Sequence, residues 1–294
     1  MTETMSCSRS SPHLLGPLRQ RSRFCFLPSL TFHPKNRCIP TTVLGVPDEE
    51  DVQLLVMPLL QSWKEPKFNT VGEVVDFFHQ VFEGLQYMHS NGVAHRDVKY
   101  NNILMDTTGL YSVLPHPLKT RRARDFRSTP SHSTQRQEHP RWGAGDKSIP
   151  EFAEDDLCDP FAVDVYCLGH MIQCEFLEGD EFTKPMKGFG FMRRLVGDMC
   201  KETPKERPTM DEVMDRSEEI CVRLSDWKLR SRVASKRELW IVTFLRSFRH
   251  RHTQIKLARR GTAAIPSWPP ELASRRPRLL DRIFPWRRTS IKKK

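Results

Sequence analysis

The chain has 294 residues, with 47 Lys and Arg against 36 Asp and Glu for a formal net charge of +11, and a mean hydropathy of −0.56. That length accommodates one two-lobed domain with tails, and 22 prolines predict a modest core with much irregular structure. No run reaches the roughly 18 apolar residues of a membrane span. The eight cysteines stand singly, without Cys-x-x-Cys pairs, which argues against a zinc site or a disulfide framework and for a reducing intracellular location, cytoplasmic or nuclear.

Residues 1–34 are rich in Ser, Arg and Pro and lack a sustained apolar stretch, so they read as a disordered leader rather than a secretory signal. From Val52 to Leu60 the apolar, β-branched run Val-Gln-Leu-Leu-Val-Met-Pro-Leu-Leu predicts a buried strand that ends near Pro58. Thr70 to Ser90 predicts an amphipathic helix. Thr70 and Glu73 have capping-box spacing, the apolar positions Val71, Val74, Val75, Phe78, Val81, Phe82, Leu85 and Met88 recur every three or four residues, and Gly92 lies just beyond the end. Directly after it comes His95-Arg96-Asp97-Val98-Lys99-Tyr100-Asn101-Asn102, and then the apolar Ile103-Leu104-Met105.

An acid with a lysine two places on and an amide five places on, preceded by His-Arg, resembles the catalytic loop of protein kinases. The resemblance implies ATP and Mg2+ as cofactors and a protein as substrate. Asp97 would orient a substrate hydroxyl and accept its proton, Lys99 would bring positive charge to the transferring phosphoryl group, and Asn102 would hold magnesium. The Asp-x-Lys spacing resembles Ser/Thr rather than Tyr kinases. His95 and Arg96 would support the loop, the arginine as in kinases where it grips an activation-segment phosphate. Met57 would lie on the strand behind the adenine pocket and contact the nucleotide.

Further matches follow in kinase order. Asp125-Phe126-Arg127 is the one candidate for Asp-Phe-Gly, with Asp125 as a second metal ligand, although Arg replaces the glycine and Arg121-Arg122-Ala123-Arg124 replaces an apolar strand. Residues 119–147 read as an irregular insert. Ser148-Ile149-Pro150-Glu151 resembles the Ala-Pro-Glu that closes an activation segment, with Arg207 as the expected partner of Glu151. Asp164-Val165-Tyr166-Cys167-Leu168-Gly169 resembles the start of the large central helix, where Asp164 would cap its own helix and bond the catalytic-loop backbone. Thr209 with Glu212 predicts another capping box, opening a helix to about Arg223. Together with Val56-Met57-Pro58-Leu59 and the run Asp146 to Phe152, residues 35–270 resemble an expanded group of fungal kinase-like proteins.

The implied fold class is α+β and protein kinase-like. A mainly helical C-lobe (70–230) would follow a truncated β-rich N-lobe and hinge (35–69), and a basic extension (231–294) would close the chain. The small lobe is short of parts. Only Gly16 and Gly45 precede Gly72, so no Gly-x-Gly loop can cover ATP phosphates. Lys35, the one lysine before the hinge-like strand, sits in His33-Pro34-Lys35-Asn36, a poor strand sequence. Two functions therefore stay open: phosphoryl transfer from ATP to protein Ser/Thr hydroxyls, or a pseudokinase acting as a binding or scaffold module.

From Lys228 onward 20 Lys and Arg face three Asp and Glu, so the positive charge belongs to the extension. Ser235 and Glu238 predict the start of a helix through about Leu257, with Leu239, Ile241, Val242, Leu245, Phe248 and Ile255 forming an apolar face. That face is expected to pack on the C-lobe, with docking on an acidic membrane or a protein partner as the alternatives. Residues 274–294 read as a disordered tail, and a nucleic-acid role would rest on that tail alone.

Overall fold

A computed structural model describes residues 6–9, 33–46, 49–106, 133–135, 149–153, 158–181 and 183–275. Two small antiparallel sheets precede and flank a helical body. In the first, β3 (Glu49–Val56) is central, flanked by β1 (Ser6–Arg9) and β2 (Thr42–Val46). Val43 and Leu44 face Leu55 and Leu54 across the β2–β3 ladder, whose register shifts after Gly45. β1 has little strand character in its Ser-Cys-Ser-Arg sequence. Its pairing with residues 52–55 supplies β3's second edge with hydrogen-bond partners, a need that sequence propensity does not register. In the second sheet β5 (Ile103–Met105) is central between β4 (Gln61–Ser62) and β6 (Ser133–Gln135). β6 lies within the stretch expected to be irregular, and it too is recruited by a neighbouring edge.

The body is built around α1 (Val71–Ser90). Thr70 Oγ1 accepts the Glu73 N–H at 3.1 Å, while the Glu73 carboxylate takes the Asn69 N–H at 2.7 Å, one residue earlier than a capping box would place it. The predicted apolar positions, Val71 through Met88, are buried. They meet α2 (Pro160–Ile172), which runs on through a π-helical turn to Leu177, together with α3 (Arg193–Met199) and α4 (Met210–Arg223). α4 starts with a complete Thr209–Glu212 capping box and ends at Arg223, as its pattern predicts. An aromatic cluster of Trp63, Phe68, Phe77, Phe78, Phe176 and Phe189 joins the β4 turn to the helices. Burying a side chain of this size contributes about 2–3 kcal/mol.

The C-terminal extension is tied to this body at two places. Val71 N–H donates to Ser231 O at 3.0 Å and Val233 N–H to Asn69 O at 3.1 Å, just after the short α5 (Asp226–Leu229). Farther on, Ile265 is buried and Ser267 Oγ donates to Asp76 Oδ1 at 2.5 Å. Gly72 permits this return, because a Cβ there would sit 1.9 Å from Ala264 O. Between the anchors runs α6 (Trp240–Arg259), and α7 (Pro270–Arg275) closes the described chain.

α6 forms where a helix was predicted, but its face is not the expected one. Leu239, Ile241, Leu245 and Phe248 are exposed, and the one buried residue of the helix is Gln254. The contacts that hold it are polar: His250 Nε2 to Arg230 O at 2.8 Å, Arg230 to Gln254, and Glu238 to Arg232 and Arg246. Glu238 makes these pairs instead of capping, and Leu239 is the N-cap without a side-chain bond. The expectation that the whole apolar face packs on the C-lobe is thus corrected: four of its six residues are exposed, and Val242 and Ile255 are half-buried. The body opposite α6 offers Arg230 and Arg232, whose donors require polar partners.

Candidate functional site

The loop from His95 to Asn102 is suspended between the end of α1 and β5. Its backbone is held by one buried carboxylate from α2. Asp164, fully buried, accepts the His95 N–H at 2.6 Å and the Arg96 N–H at 2.5 Å, and its Oδ2 lies 3.0 Å from His89 Nε2. Asp159, bonded to the Phe161 N–H at 2.9 Å, caps α2, so Asp164 stands one turn inside the helix and does not cap it as expected. Arg96 takes φ 65°, the left-handed region that is costly for a side chain with Cβ. Two charge-assisted bonds, each worth roughly 1.5–3 kcal/mol, offset that cost.

Past the Arg96 bend, Asp97, Lys99 and Asn102 converge. Asn102 Nδ2 donates to Asp97 Oδ2 at 2.7 Å and to the Asp97 carbonyl at 2.8 Å. Lys99 Nζ lies 2.9 Å from Asp97 Oδ1. With its amide nitrogen engaged in this way, Asn102 turns its Oδ1 elsewhere. The residue is 1 % exposed, and that oxygen has no hydrogen-bond partner among the described residues. A buried bare amide oxygen beside a carboxylate suits a hard cation such as magnesium. His95 is buried, and its Nδ1 accepts the Asp97 N–H at 3.2 Å. The Arg96 side chain is exposed, and Met57, just after β3, is half-buried.

Glu151 and Arg207, 56 residues apart, form a two-pronged pair: Nη1 to Oε1 at 2.6 Å and Nη2 to Oε2 at 2.7 Å. Arg207 also donates to the carbonyls of Lys201, Glu202 and Ala162, and stacks over Tyr166 at 4.7 Å. Burial pushes the Glu151 carboxyl up, but the Arg207 bonds and charge outweigh it and hold the group below its ordinary value. Asp125 lies outside the described residues, as does the rest of 107–132. Lys35 sits in the turn at residues 34–35, outside every described strand.

Sequence reasoning missed a second support. Trp63 Nε1–H donates to Tyr100 O at 2.9 Å, pinning the middle of the loop to the aromatic cluster. Lys64 bonds the buried Glu175 at 2.5 Å and lies 4.1 Å from the centroid of the Tyr100 ring. Neither residue falls in a local pattern, and the 111 positions between Lys64 and Glu175 leave no signal in a single sequence. Only the sharp Trp-Lys-Glu-Pro turn after an apolar strand marks the place.

Residues 48–185 match the family model described as the protein kinase domain. The chain is 28% identical over 129 residues to the probable serine/threonine-protein kinase RTK1 of Saccharomyces cerevisiae, covering 42% of this chain and 19% of that protein. It is 30% identical over 126 residues to the serine/threonine-protein kinase PTK2/STK2 of the same yeast, covering 38% of this chain and 14% of that protein. Against the serine/threonine-protein kinase chk1 of Schizosaccharomyces pombe, identity is 50% over 46 residues, 15% of this chain and 9% of that protein. The matched region thus spans about a fifth or less of the length of each of these relatives. Among the described residues, no helix is long and apolar enough to cross a membrane.

Proposed function

We propose, from the premise that this chain belongs to the eukaryotic protein kinase superfamily, that its loop performs phosphoryl transfer from ATP to protein Ser/Thr hydroxyls. The observation that carries the reading is the Asp97–Lys99–Asn102 cluster, with the Asn102 amide oxygen left bare in a buried site. Asn102 would hold magnesium, with Asp125 as the further expected ligand, and Met57 would border the adenine. Mg-ATP, when bound, supplies the phosphoryl group and the cation that neutralises it.

The chain's own residues do the rest. Asp97 orients the acceptor hydroxyl and takes its proton at a carboxylate oxygen. Asn102 fixes that carboxylate by donating to Oδ2, and Lys99, paired with Oδ1, is placed to turn toward negative charge developing beside it. Asp164 and Trp63 hold the backbone so that these side chains keep their relative positions.

No Gly-x-Gly segment precedes Gly72, so nucleotide affinity and turnover are expected to fall below those of a complete small lobe. That same absence favours the second reading, a scaffold built on the kinase body. The deciding assay measures phosphate transfer to a basic protein substrate with Mg-ATP, beside an Asp97→Asn control. Transfer that disappears in the variant supports the enzyme; no transfer and no Mg-ATP thermal shift in either protein supports the scaffold.

A further inference from the structure

We propose that α6 is a docking element for an anionic phospholipid surface, independently of whether the loop turns over ATP. The helix is mounted with its polar side inward. Gln254 accepts from Arg230 and His250 Nε2 meets the Arg230 carbonyl, while Thr243 on the same side donates to the Glu238 carboxylate. The outward row is apolar: Trp240, Phe244 and Phe248 are 77%, 67% and 75% exposed, and Ile241 and Leu245 lie beside them at three- and four-residue spacing. Five large apolar side chains on one exposed face form a contiguous patch, which marks an interaction surface rather than scattered surface residues.

Charge selects the occupant. The same outward face continues toward the C-terminus as Arg251, His252, Lys256 and Arg259, all exposed. From Leu239 to Pro270 there are six Lys and Arg and no Asp or Glu, and residues 276–294 carry eight Lys and Arg with one Asp. A second copy would lay one acid-free cationic helix against another, and this chain's own tail is equally cationic, so like charge opposes both. A nucleic acid would satisfy the charge but has no use for Ile241 and Leu245. An anionic bilayer accepts both halves, with Trp, Phe, Ile and Leu entering the acyl boundary and the basic half lying over the headgroups.

The test is sedimentation of the full chain with phosphatidylcholine vesicles, with and without roughly 30 mol% phosphatidylserine. Retention is expected on the anionic vesicles only. Phe244→Asp with Phe248→Asp should lower it at least about tenfold, and Arg251→Glu with Lys256→Glu by about tenfold or more. Thermal melting of both double variants should match the parent, because the altered side chains are exposed. Absence of retention, retention on neutral vesicles alone, or retention unaffected by the Phe pair would each overturn the assignment. So would self-association in sedimentation equilibrium that the Phe pair abolishes, since a second copy would then cover the face.

Discussion

α1 and α6 are each twenty residues long and each carries several aromatic and branched apolar side chains, yet thirteen residues of α1 are buried and one of α6. The difference lies in what each helix meets. α1 is enclosed by α2, α4 and the aromatic cluster, so its periodic apolar stripe is covered on all sides. α6 is strung between two anchors, Val233 and Ile265, and the surface beneath it presents Arg230 and Arg232, which draw Gln254, His250 and Glu238 inward. An apolar period states that a face will be buried somewhere; it does not state by what.

The largest expected effect separates the two helices directly. Phe82→Ala in α1, where the ring is fully buried, should cost about 3–5 kcal/mol in urea unfolding. Phe244→Ala in α6 should stay within about 0.5 kcal/mol. Equal losses would mean that α6 is packed after all.

The same contrast holds for charges. Glu151→Ala leaves Arg207, 1% exposed at its side chain, without its carboxylate and should cost about 3 kcal/mol. Removing the exposed Glu219–Arg223 pair on α4 should cost about 0.3 kcal/mol.

Acid sharpens this comparison. The folded pKa of Glu151 lies below its ordinary value of 4.5. Its stabilisation is therefore full above the unfolded value and fades as pH falls through the lower, folded one. The melting difference between the parent and Glu151→Gln should be constant near neutrality and shrink on acidification below about pH 4.5. A gap that widens with acid would reverse the sign of this reading. A cap should fall between the buried and the exposed sites: Thr209→Ala opens the α4 capping box and should cost about 1 kcal/mol in the same urea experiment.

Much of the site could be read from the sequence because its spacing is short. Asp97, Lys99 and Asn102 lie within six residues, and the contacts they make span two and five positions. The Glu151–Arg207 contact was legible only through family order, since 56 positions separate two ordinary charges. Trp63, Lys64 and Glu175 were not legible at all. Their contacts are long-range, and a tryptophan that reads as core carries no mark of the carbonyl its indole will bind. Asp164 bonds the loop backbone but does not cap its helix, because Asp159 with Pro160 opens the helix five residues earlier.

By itself, the sequence determined the local elements: where α1 and α4 begin, the loop that follows α1, and the cationic character of the extension. Those depend on caps, turns and charges within a few residues of one another. Only the tertiary structure decided which edges recruit β1 and β6, which carboxylate bends Arg96 into φ 65°, and which side of α6 faces out. Each of these depends on a partner brought near by folding, and a pattern on one segment carries no information about the polarity of the surface it will meet.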